Sequence, residues 1–284
     1  MATTSDLRLK RLTGAIGVQI DGIDLRRVDD AEVTAIRRAL VENVVVVLRS
    51  QHLEPEPQIA FAKRLGTIVH TEGSVNHNVK NAHEALETHP EILRVSNVGK
   101  GFTENWHSDN VHVPRPTAFS ILAAQAIPEY GGDTLFTNQF VAYETLSDRY
   151  KTMLRGMRLK HTGARQIAYR TGPASEAPFQ FHPVVRSHGE SGRRALFIGG
   201  RPNNARPHFE GMSEAESHPI QQFLLEHSIQ PDRTYRHTWQ PGDVIMWDNR
   251  STLHFAVHDY GTATRDMNRV TTEGEVPFEA PYTD

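Results

Sequence analysis

The chain has 284 residues, enough for one large domain or two small ones, and 38% of them are hydrophobic, which allows a sizeable core. Lys and Arg number 31 against 34 Asp and Glu, so the formal net charge is −3, and no long run of one sign occurs. This composition argues against a nucleic-acid-binding surface or a basic membrane helix. Cysteine is absent, which excludes disulfides, thiolate metal sites and cysteine nucleophiles, and leaves His, Asp and Glu as the strong metal ligands.

The N-terminal segment shows no sign of export or membrane insertion. Its first ten residues include the charged side chains of Asp6, Arg8 and Lys10 and lack the apolar stretch of a signal peptide. The clearest aliphatic run, Val44 to Leu48, is far shorter than the ~20 residues that cross a bilayer. We therefore expect a cytoplasmic protein with no membrane partner.

Before residue 68 the hydrophobic pattern changes from strand-like to helix-like and back. Residues 31–42 carry apolar side chains at roughly helical spacing, and Asp29 or Asp30 is placed to cap that helix. The run over 44–48 is continuous and largely β-branched, which is typical of a buried strand. The predicted elements are a strand-like segment over 7–20, the helix over 31–42, the strand over 44–48 and a helix over 55–65.

Two long segments have no steady hydrophobic period. Residues 68–104 are rich in Asn, His, Gly and Glu, with one short strand-like stretch over 92–95, and residues 161–182 are similarly irregular. Long irregular stretches inside a compact domain are uncommon unless they are functional or disordered. We predict that both are active-site loops.

Short strands dominate the predictions for the rest of the chain. A helix is predicted from Ser213 to His227, with Glu216 completing a capping box, although Pro219 favours a start several residues later. The other predicted elements are an apolar run over 118–127, strands over 134–137, 195–198, 234–239 and 244–247, and a helix over 142–157. Many short strands with Gly and Pro turns indicate a β-sandwich or barrel with added helices. No linker divides the chain, so we expect a single domain over 1–284.

Two separated motifs supply candidate metal ligands. One is Trp106-His107-Ser108-Asp109, and the other begins at Trp247-Asp248-Asn249-Arg250 and ends at His254. Two imidazoles and one carboxylate form the facial triad of mononuclear non-haem iron(II) sites, which leaves the remaining metal positions open. A histidine two residues before an acid is a weak signal alone, because it also occurs at His70-Thr71-Glu72, His188-Gly189-Glu190 and His208-Phe209-Glu210.

Over nearly its full length the chain resembles the taurine dioxygenase (TauD/TfdA) family of iron(II)- and 2-oxoglutarate-dependent dioxygenases. The resemblance rests on motifs in a fixed order: 105–109 (NWHSD), 121–124 (ILAA), 131–137 (GGDTLFT), 182–186 (HPVVR), 247–250 (WDNR), His254, 259–260 (DY), Arg265 and Arg269. It implies a mainly β fold with flanking helices around a double-stranded β-helix (jelly-roll) core.

The resemblance also implies the roles of individual residues at the metal. It assigns His107, Asp109 and His254 to iron(II), and it assigns Thr134 and Arg265 to the far carboxylate of 2-oxoglutarate. The chemistry of an arginine agrees with this role, because its planar fork matches a carboxylate in bidentate fashion.

For the substrate, the resemblance points to three further residues. Arg269 matches an arginine that binds the substrate's anionic head, and its even spacing from Arg265 puts both on one face of a regular strand. His70 and Thr103 lie near positions that contact substrate. The segment over 68–104 departs from the family pattern, which argues against taurine itself.

The implied reaction uses dioxygen and 2-oxoglutarate, releases succinate and carbon dioxide, and hydroxylates a small anionic substrate, with or without fragmentation of the product. A sulfonate, a sulfate ester, a carboxylate or a phosphonate would fit. A homodimer or a homotetramer is compatible with the family. Two alternatives remain open from the residues alone: a zinc-dependent hydrolase, which uses similar ligands, and a non-catalytic small-molecule binder on the same barrel.

Overall fold

The computed structural model describes residues 7–69, 83–86, 88–96, 105–162, 178–199 and 207–282. Its strands are β1 (Arg8–Arg11), β2 (Val18–Asp21), β3 (Val45–Leu48), β4 (His83–Leu86), β5 (His89–Ser96), β6 (Thr117–Ala126), β7 (Thr134–Asn138), β8 (Arg158–Thr162), β9 (Phe179–Pro183), β10 (Val185–Ser187), β11 (Arg194–Leu196), β12 (Thr234–His237), β13 (Val244–Asp248), β14 (Thr252–Ala256) and β15 (Asp266–Glu273). Its helices are α1 (Asp30–Asn43), α2 (Pro55–Leu65), α3 (Gln139–Glu144), α4 (Asp148–Leu154) and α5 (Glu214–Ser228), with a short 3₁₀ turn at Pro231–Arg233.

Two sheets define the architecture. Eight strands form a large sheet in the order β1-β2-β3-β13-β6-β15-β5-β4, and three form a small sheet in the order β12-β7-β14. Pairing in both is antiparallel except between β2 and β3. Two hairpins, β8–β9 and β10–β11, lie outside these sheets. The fold is mainly β with flanking helices, as predicted.

The centre of the large sheet is buried on both faces. In β3, Val46 packs in the cluster that includes α1 and α2, whereas Val47 belongs to a cluster shared with the small sheet. Across that second interface, Phe136 of β7 lies against Trp247 of β13, with ring centroids 5.5 Å apart. The continuous aliphatic run over 44–48 is thus a strand with no solvent-facing side.

Several predicted elements are confirmed with small changes of boundary. Helix α2 has the predicted bounds, and α1 extends one residue further at each end. Asp29 is the N-cap of α1: its carboxylate accepts a hydrogen bond from the amide of Glu32 at 2.8 Å, and Glu32 accepts one in return at 2.9 Å. None of the helices in the described part of the chain is long and apolar enough to cross a membrane.

The helix predicted over 142–157 is wrong, because the structure has two short helices there, α3 and α4. The hydroxyl of Ser147 accepts a hydrogen bond from the amide of Tyr150 and so begins α4 as an N-cap. Asn138 caps α3 in the same way, through Phe140 and Val141. Capping side chains of this kind compete with a continuous helix.

The delayed start expected for α5 is also wrong. Ser213 and Glu216 form the capping box, the helix begins at Glu214, and Pro219 lies inside it. Pro219 has no amide hydrogen to donate within the helix. The first turn is held in place by Ser217, whose hydroxyl donates to the Ser213 carbonyl and accepts from the Phe209 amide.

The irregular segments contain more strand than predicted. Within 68–104, β5 runs over eight residues and pairs with both β4 and β15, so the single short strand over 92–95 was an underestimate. Within 161–182, the described ends belong to the β8–β9 hairpin. The assignment of active-site loops otherwise falls outside the described residues and stays a prediction.

Replacing Asp29 by alanine is expected to lower the free energy of unfolding by ~1 kcal/mol, because the amide of Glu32 loses its capping partner. The matched change Asp30→Ala removes an exposed ion pair with Arg64 and one acidic side chain of the first turn but no capping hydrogen bond, and exposed contacts of this kind contribute about 0–1 kcal/mol. Chemical denaturation of both variants measures the difference. An Asp30→Ala loss larger than that of Asp29→Ala would contradict the cap assignment.

Candidate metal centre

The two motif histidines are joined through their backbones. The amide of His107 donates to the carbonyl of His254 at 3.0 Å, and the amide of His254 donates back at 2.8 Å. His107 thus forms an isolated antiparallel bridge to His254 of β14, and the two imidazole centroids lie 4.0 Å apart. Residues 147 positions apart in the chain thus present their rings side by side, both buried.

Asp109 completes the cluster. Its Oδ1 lies 4.0 Å from Nε2 of His107 and 4.0 Å from Nε2 of His254. The ligand atoms of all three lie within 4.8 Å of one another, and no other group of three or more such side chains with this spacing occurs among the described residues. The structure therefore brings together the three residues that the sequence assigned to metal.

The donor set fits a divalent metal ion. Nδ1 of His107 lies 2.9 Å from the carbonyl oxygen of Asn105, which can only accept, so Nδ1 carries the proton. The lone pair of His107 then resides on Nε2, the atom that faces Asp109. A second hydrogen bond of this kind commonly fixes the tautomer of a metal-binding histidine.

The carboxylate of Asp109 is buried but well supported. Ser120 donates to Oδ2 at 2.8 Å, and Nη1 of Arg269 donates to Oδ1 at 2.9 Å. Burial acts to raise the pKa of the Asp109 carboxyl, but the positive charge of Arg269 and the neighbouring histidines hold that pKa below its usual value. Asp109 is therefore ionised, as a metal ligand must be.

Arg265 and Thr134 form a second group beside the metal cluster. Arg265 is 4% exposed; its Nε donates to the Gly132 carbonyl at 2.9 Å and its Nη2 to Oγ1 of Thr134 at 3.3 Å. The indole of Trp239 donates to the same Oγ1 at 3.1 Å. Burial lowers the pKa of Arg265, yet a guanidinium stays charged in proteins.

The turn at Gly131 and Gly132 leaves space for the side chain of Arg265. Both have positive φ, and a Cβ on Gly132 would lie 3.1 Å from Cδ of Arg265 and 3.2 Å from the Tyr260 ring. The Gly132 amide donates to Oδ1 of Asp259 at 2.8 Å, which fixes the turn. The Gly-Gly-Asp motif thus makes room for an arginine as well as making a turn.

Arg265 and Arg269 do not lie on one regular strand, so that premise was wrong. β15 begins at Asp266, after Arg265, and its register with β6 shifts between Asp266 and Met267. Arg269 lies within β15 and contacts the metal carboxylate, whereas Arg265 approaches Thr134 from the preceding loop. His70 and Thr103, the other predicted substrate residues, lie outside the described residues.

The rival histidine–acid pairs have other partners where they are described. Nε2 of His188 lies 3.0 Å from the buried carboxylate of Asp248, and Glu190 pairs with Arg37. Glu210 pairs with Arg158 on the surface. Two residues that the sequence analysis missed contact Asp109: Ser120, one polar residue in an apolar run, and Asn249, whose Oδ1 accepts from the Asp109 amide at 3.1 Å.

A mainly β fold with a buried His–Asp–His cluster between two sheets defines a class of mononuclear metalloprotein. A family model described as "Taurine catabolism dioxygenase TauD, TfdA family" matches residues 8–271, and the chain belongs to that family. The protein is a 2-oxoglutarate-dependent non-haem iron dioxygenase, which uses iron(II) with 2-oxoglutarate and dioxygen as cosubstrates.

Individual relatives are similar over most of their length. An alpha-ketoglutarate-dependent 2,4-dichlorophenoxyacetate dioxygenase from Burkholderia sp. (strain RASC) is 32% identical, covering 90% of this chain and 91% of the relative. An alpha-ketoglutarate-dependent sulfate ester dioxygenase from Pseudomonas putida is 32% identical, covering 96% and 91%. The crystal structure of a taurine dioxygenase from Burkholderia xenovorans superposes with a TM-score of 0.80 at 32% identity, covering 95% and 92%.

Gly132→Ala is expected to destabilise the protein more than Gly261→Ala does. Both glycines have positive φ, which costs another residue about 1–2 kcal/mol. Only Gly132 would also bring a methyl group against Arg265 and Tyr260, whereas a Cβ on Gly261 meets nothing within 4 Å. The extra loss, about 1–3 kcal/mol for overpacking, is measured by denaturant unfolding of the two variants. Equal losses would contradict the close packing at Gly132.

Proposed function

We propose that His107, Asp109 and His254 hold the iron(II), and that the protein hydroxylates a small anionic organic substrate beside it. The observation that supports this most directly is the arrangement of three charged anchors: the ionised carboxylate of Asp109, Arg269 in contact with it, and buried Arg265 next to Thr134. When bound, the metal with 2-oxoglutarate and dioxygen supplies the oxidising chemistry. The chain binds, orients and shields the reactants.

Arg265 and Thr134 are suited to the far carboxylate of 2-oxoglutarate. The Thr134 hydroxyl accepts from both Arg265 and Trp239, so its own hydrogen is free to donate to an anion. The guanidinium of Arg265, 3.3 Å from this hydroxyl, supplies the positive charge that would pair with the same carboxylate. A buried, preorganised arginine loses little freedom when the anion binds.

Arg269 is suited to the substrate's anionic head. It uses Nη1 to contact Asp109, and its buried Nε has no hydrogen-bond partner among the described residues. An anion placed on this guanidinium would lie directly beside the metal carboxylate. Relatives are named for a carboxylate, a sulfate ester and a sulfonate substrate. We extend this class to the present chain as a sulfonate, sulfate ester, carboxylate or phosphonate, with or without fragmentation of the product.

We further propose that residues 1–284 form one catalytic domain with a double-stranded β-helix (jelly-roll) core. In the large sheet, strands from early in the chain (β3, β5, β6) alternate with late ones (β13, β15), so neither half has a complete sheet alone. The small sheet covers one face of this sheet, and the candidate site lies between them. Assembly as a homodimer or homotetramer stays a prediction.

The reaction class and substrate class are tested together by measuring succinate. Purified protein with iron(II), ascorbate, air and 2-oxoglutarate is supplied with sulfonates, sulfate esters, phenoxy acids and phosphonates. We expect succinate to rise with one or more of these anions and to fall to background in His107→Ala. Succinate that persists in His107→Ala would contradict the site, and its absence with every anion, from protein shown to bind iron, would contradict the substrate class.

The two arginines are expected to affect different Michaelis constants. Arg269→Met should raise KM for the anionic substrate about tenfold or more, because a hydrogen bond to a charged group contributes about 1.5–3 kcal/mol. It should change KM for 2-oxoglutarate little, and Arg265→Met should do the reverse. Rates are normalised to bound metal, because Arg269 also contacts Asp109. The exposed Arg38→Met is the control, and a uniform rise of both constants in either site variant would contradict the assignment.

A further inference from the structure

The Trp247–Arg250 motif presents alternate side chains to opposite sides of the large sheet. Trp247 belongs to the cluster between the sheets, and Asn249 reaches Asp109. Asp248 and Arg250 pair with each other on the other side. We propose that Asn249 and Ser120 are positioning residues that orient the carboxylate of Asp109 so that Oδ1 faces both imidazoles. The inference rests on the proposed metal site.

Both polar atoms of the Asn249 side chain are hydrogen-bonded. Its Oδ1 accepts from the indole Nε1 of Trp247 at 3.0 Å and from the Asp109 amide at 3.1 Å. Its Nδ2 donates to Oγ of Ser120 at 2.8 Å and to the Ala118 carbonyl at 3.4 Å. Since Trp247 can only donate, the orientation of the amide is fixed, and Nδ2 must be the atom that faces Ser120.

Ser120 transmits this orientation to the metal carboxylate. It lies on β6 opposite Trp247 of β13, and its hydroxyl is fully buried. Because Asn249 donates to Oγ, the Ser120 hydrogen is directed to Oδ2 of Asp109, at 2.8 Å. Oδ2 thereby accepts from Ser120, whereas Oδ1, which accepts from Arg269 at 2.9 Å, is the oxygen that lies 4.0 Å from each Nε2. The carboxylate is arranged to use one oxygen for the metal.

Asp248 and Arg250 of the same motif hold this segment in place on the opposite side of the sheet. The buried carboxylate of Asp248 lies 2.6 Å from Nη2 of Arg250 and 3.0 Å from Nε2 of His188. Arg250 also forms ion pairs with Glu190 and Glu275. These contacts fix the end of β13, from which Asn249 extends toward Asp109. The contacts therefore run from the Asp248–Arg250 ion pair through the Asn249 amide and the Ser120 hydroxyl to the Asp109 carboxylate.

A positioning role predicts weaker metal binding when the Ser120 hydroxyl is removed. Partners of this kind typically change metal affinity by ~10–100-fold. In Ser120→Ala, Oδ2 of Asp109 loses its donor, and the carboxylate can turn both oxygens toward the metal. The chain offers a matched control in Ser251, which is equally buried, belongs to the adjoining segment and makes no side-chain hydrogen bond within the described part of the chain.

The test is titration of the metal-free protein with cobalt(II), which reports both the dissociation constant and the ligand field through its visible absorption. We expect Ser120→Ala to bind cobalt(II) at least tenfold more weakly than wild type, with an altered spectrum. Ser251→Ala should match wild type in both. Asn249→Ala should behave like Ser120→Ala. Melting temperatures of the metal-free variants show that each is folded, and Ser120→Ala decides the outcome if Asn249→Ala does not fold.

Two results would overturn the inference: cobalt(II) binding and a spectrum in Ser120→Ala that match wild type, or equal losses in Ser120→Ala and Ser251→Ala. Failure of the proposed metal site gives a different pattern. In that case wild type and His107→Ala would bind cobalt(II) alike, and the site would lie elsewhere.

Discussion

The backbones of His107 and His254 hydrogen-bond to each other in both directions, and the rest of the site is arranged around that contact. A two-way bridge fixes two rings from distant parts of the chain within 4.0 Å of each other without using an imidazole nitrogen. The ring nitrogens are thus left for tautomer control and for a metal. Asp109, two residues after His107, then needs only the correct side-chain orientation to complete the triad.

The buried carboxylates of Asp109 and Asp248 each have an arginine partner. Asp109 is balanced by Arg269, and Asp248 by Arg250, whereas Arg265 contacts neutral oxygens of Gly132 and Thr134. Breaking a buried pair leaves an uncompensated charge, which typically costs about 3–5 kcal/mol. The far carboxylate of 2-oxoglutarate, bound as proposed, would add a negative charge next to the buried guanidinium of Arg265.

The sequence predicted those parts that depend on local patterns. Helix α2, the buried strand over 44–48 and the Ser213 cap follow from periodicity and capping chemistry, and the resemblance to the family placed the triad residues together. Long-range packing decided the rest. β5 extends beyond the apolar stretch over 92–95 because it pairs with both β4 and β15, and Ser120 acquires a role only where β6 meets β13. Because β15 begins only at Asp266, Arg265 lies in the preceding loop and not on the strand that carries Arg269.

The central claim is that one metal ion is bound by His107, Asp109 and His254. It is tested most directly by a crystal structure of the protein soaked with manganese(II) and N-oxalylglycine, an analogue that keeps both carboxylates of 2-oxoglutarate. We expect a single anomalous-scattering peak within coordination distance of Nε2 of both histidines and Oδ1 of Asp109. The far carboxylate of N-oxalylglycine should form an ion pair with Arg265. A peak at other residues, or N-oxalylglycine bound away from Arg265, would contradict the account.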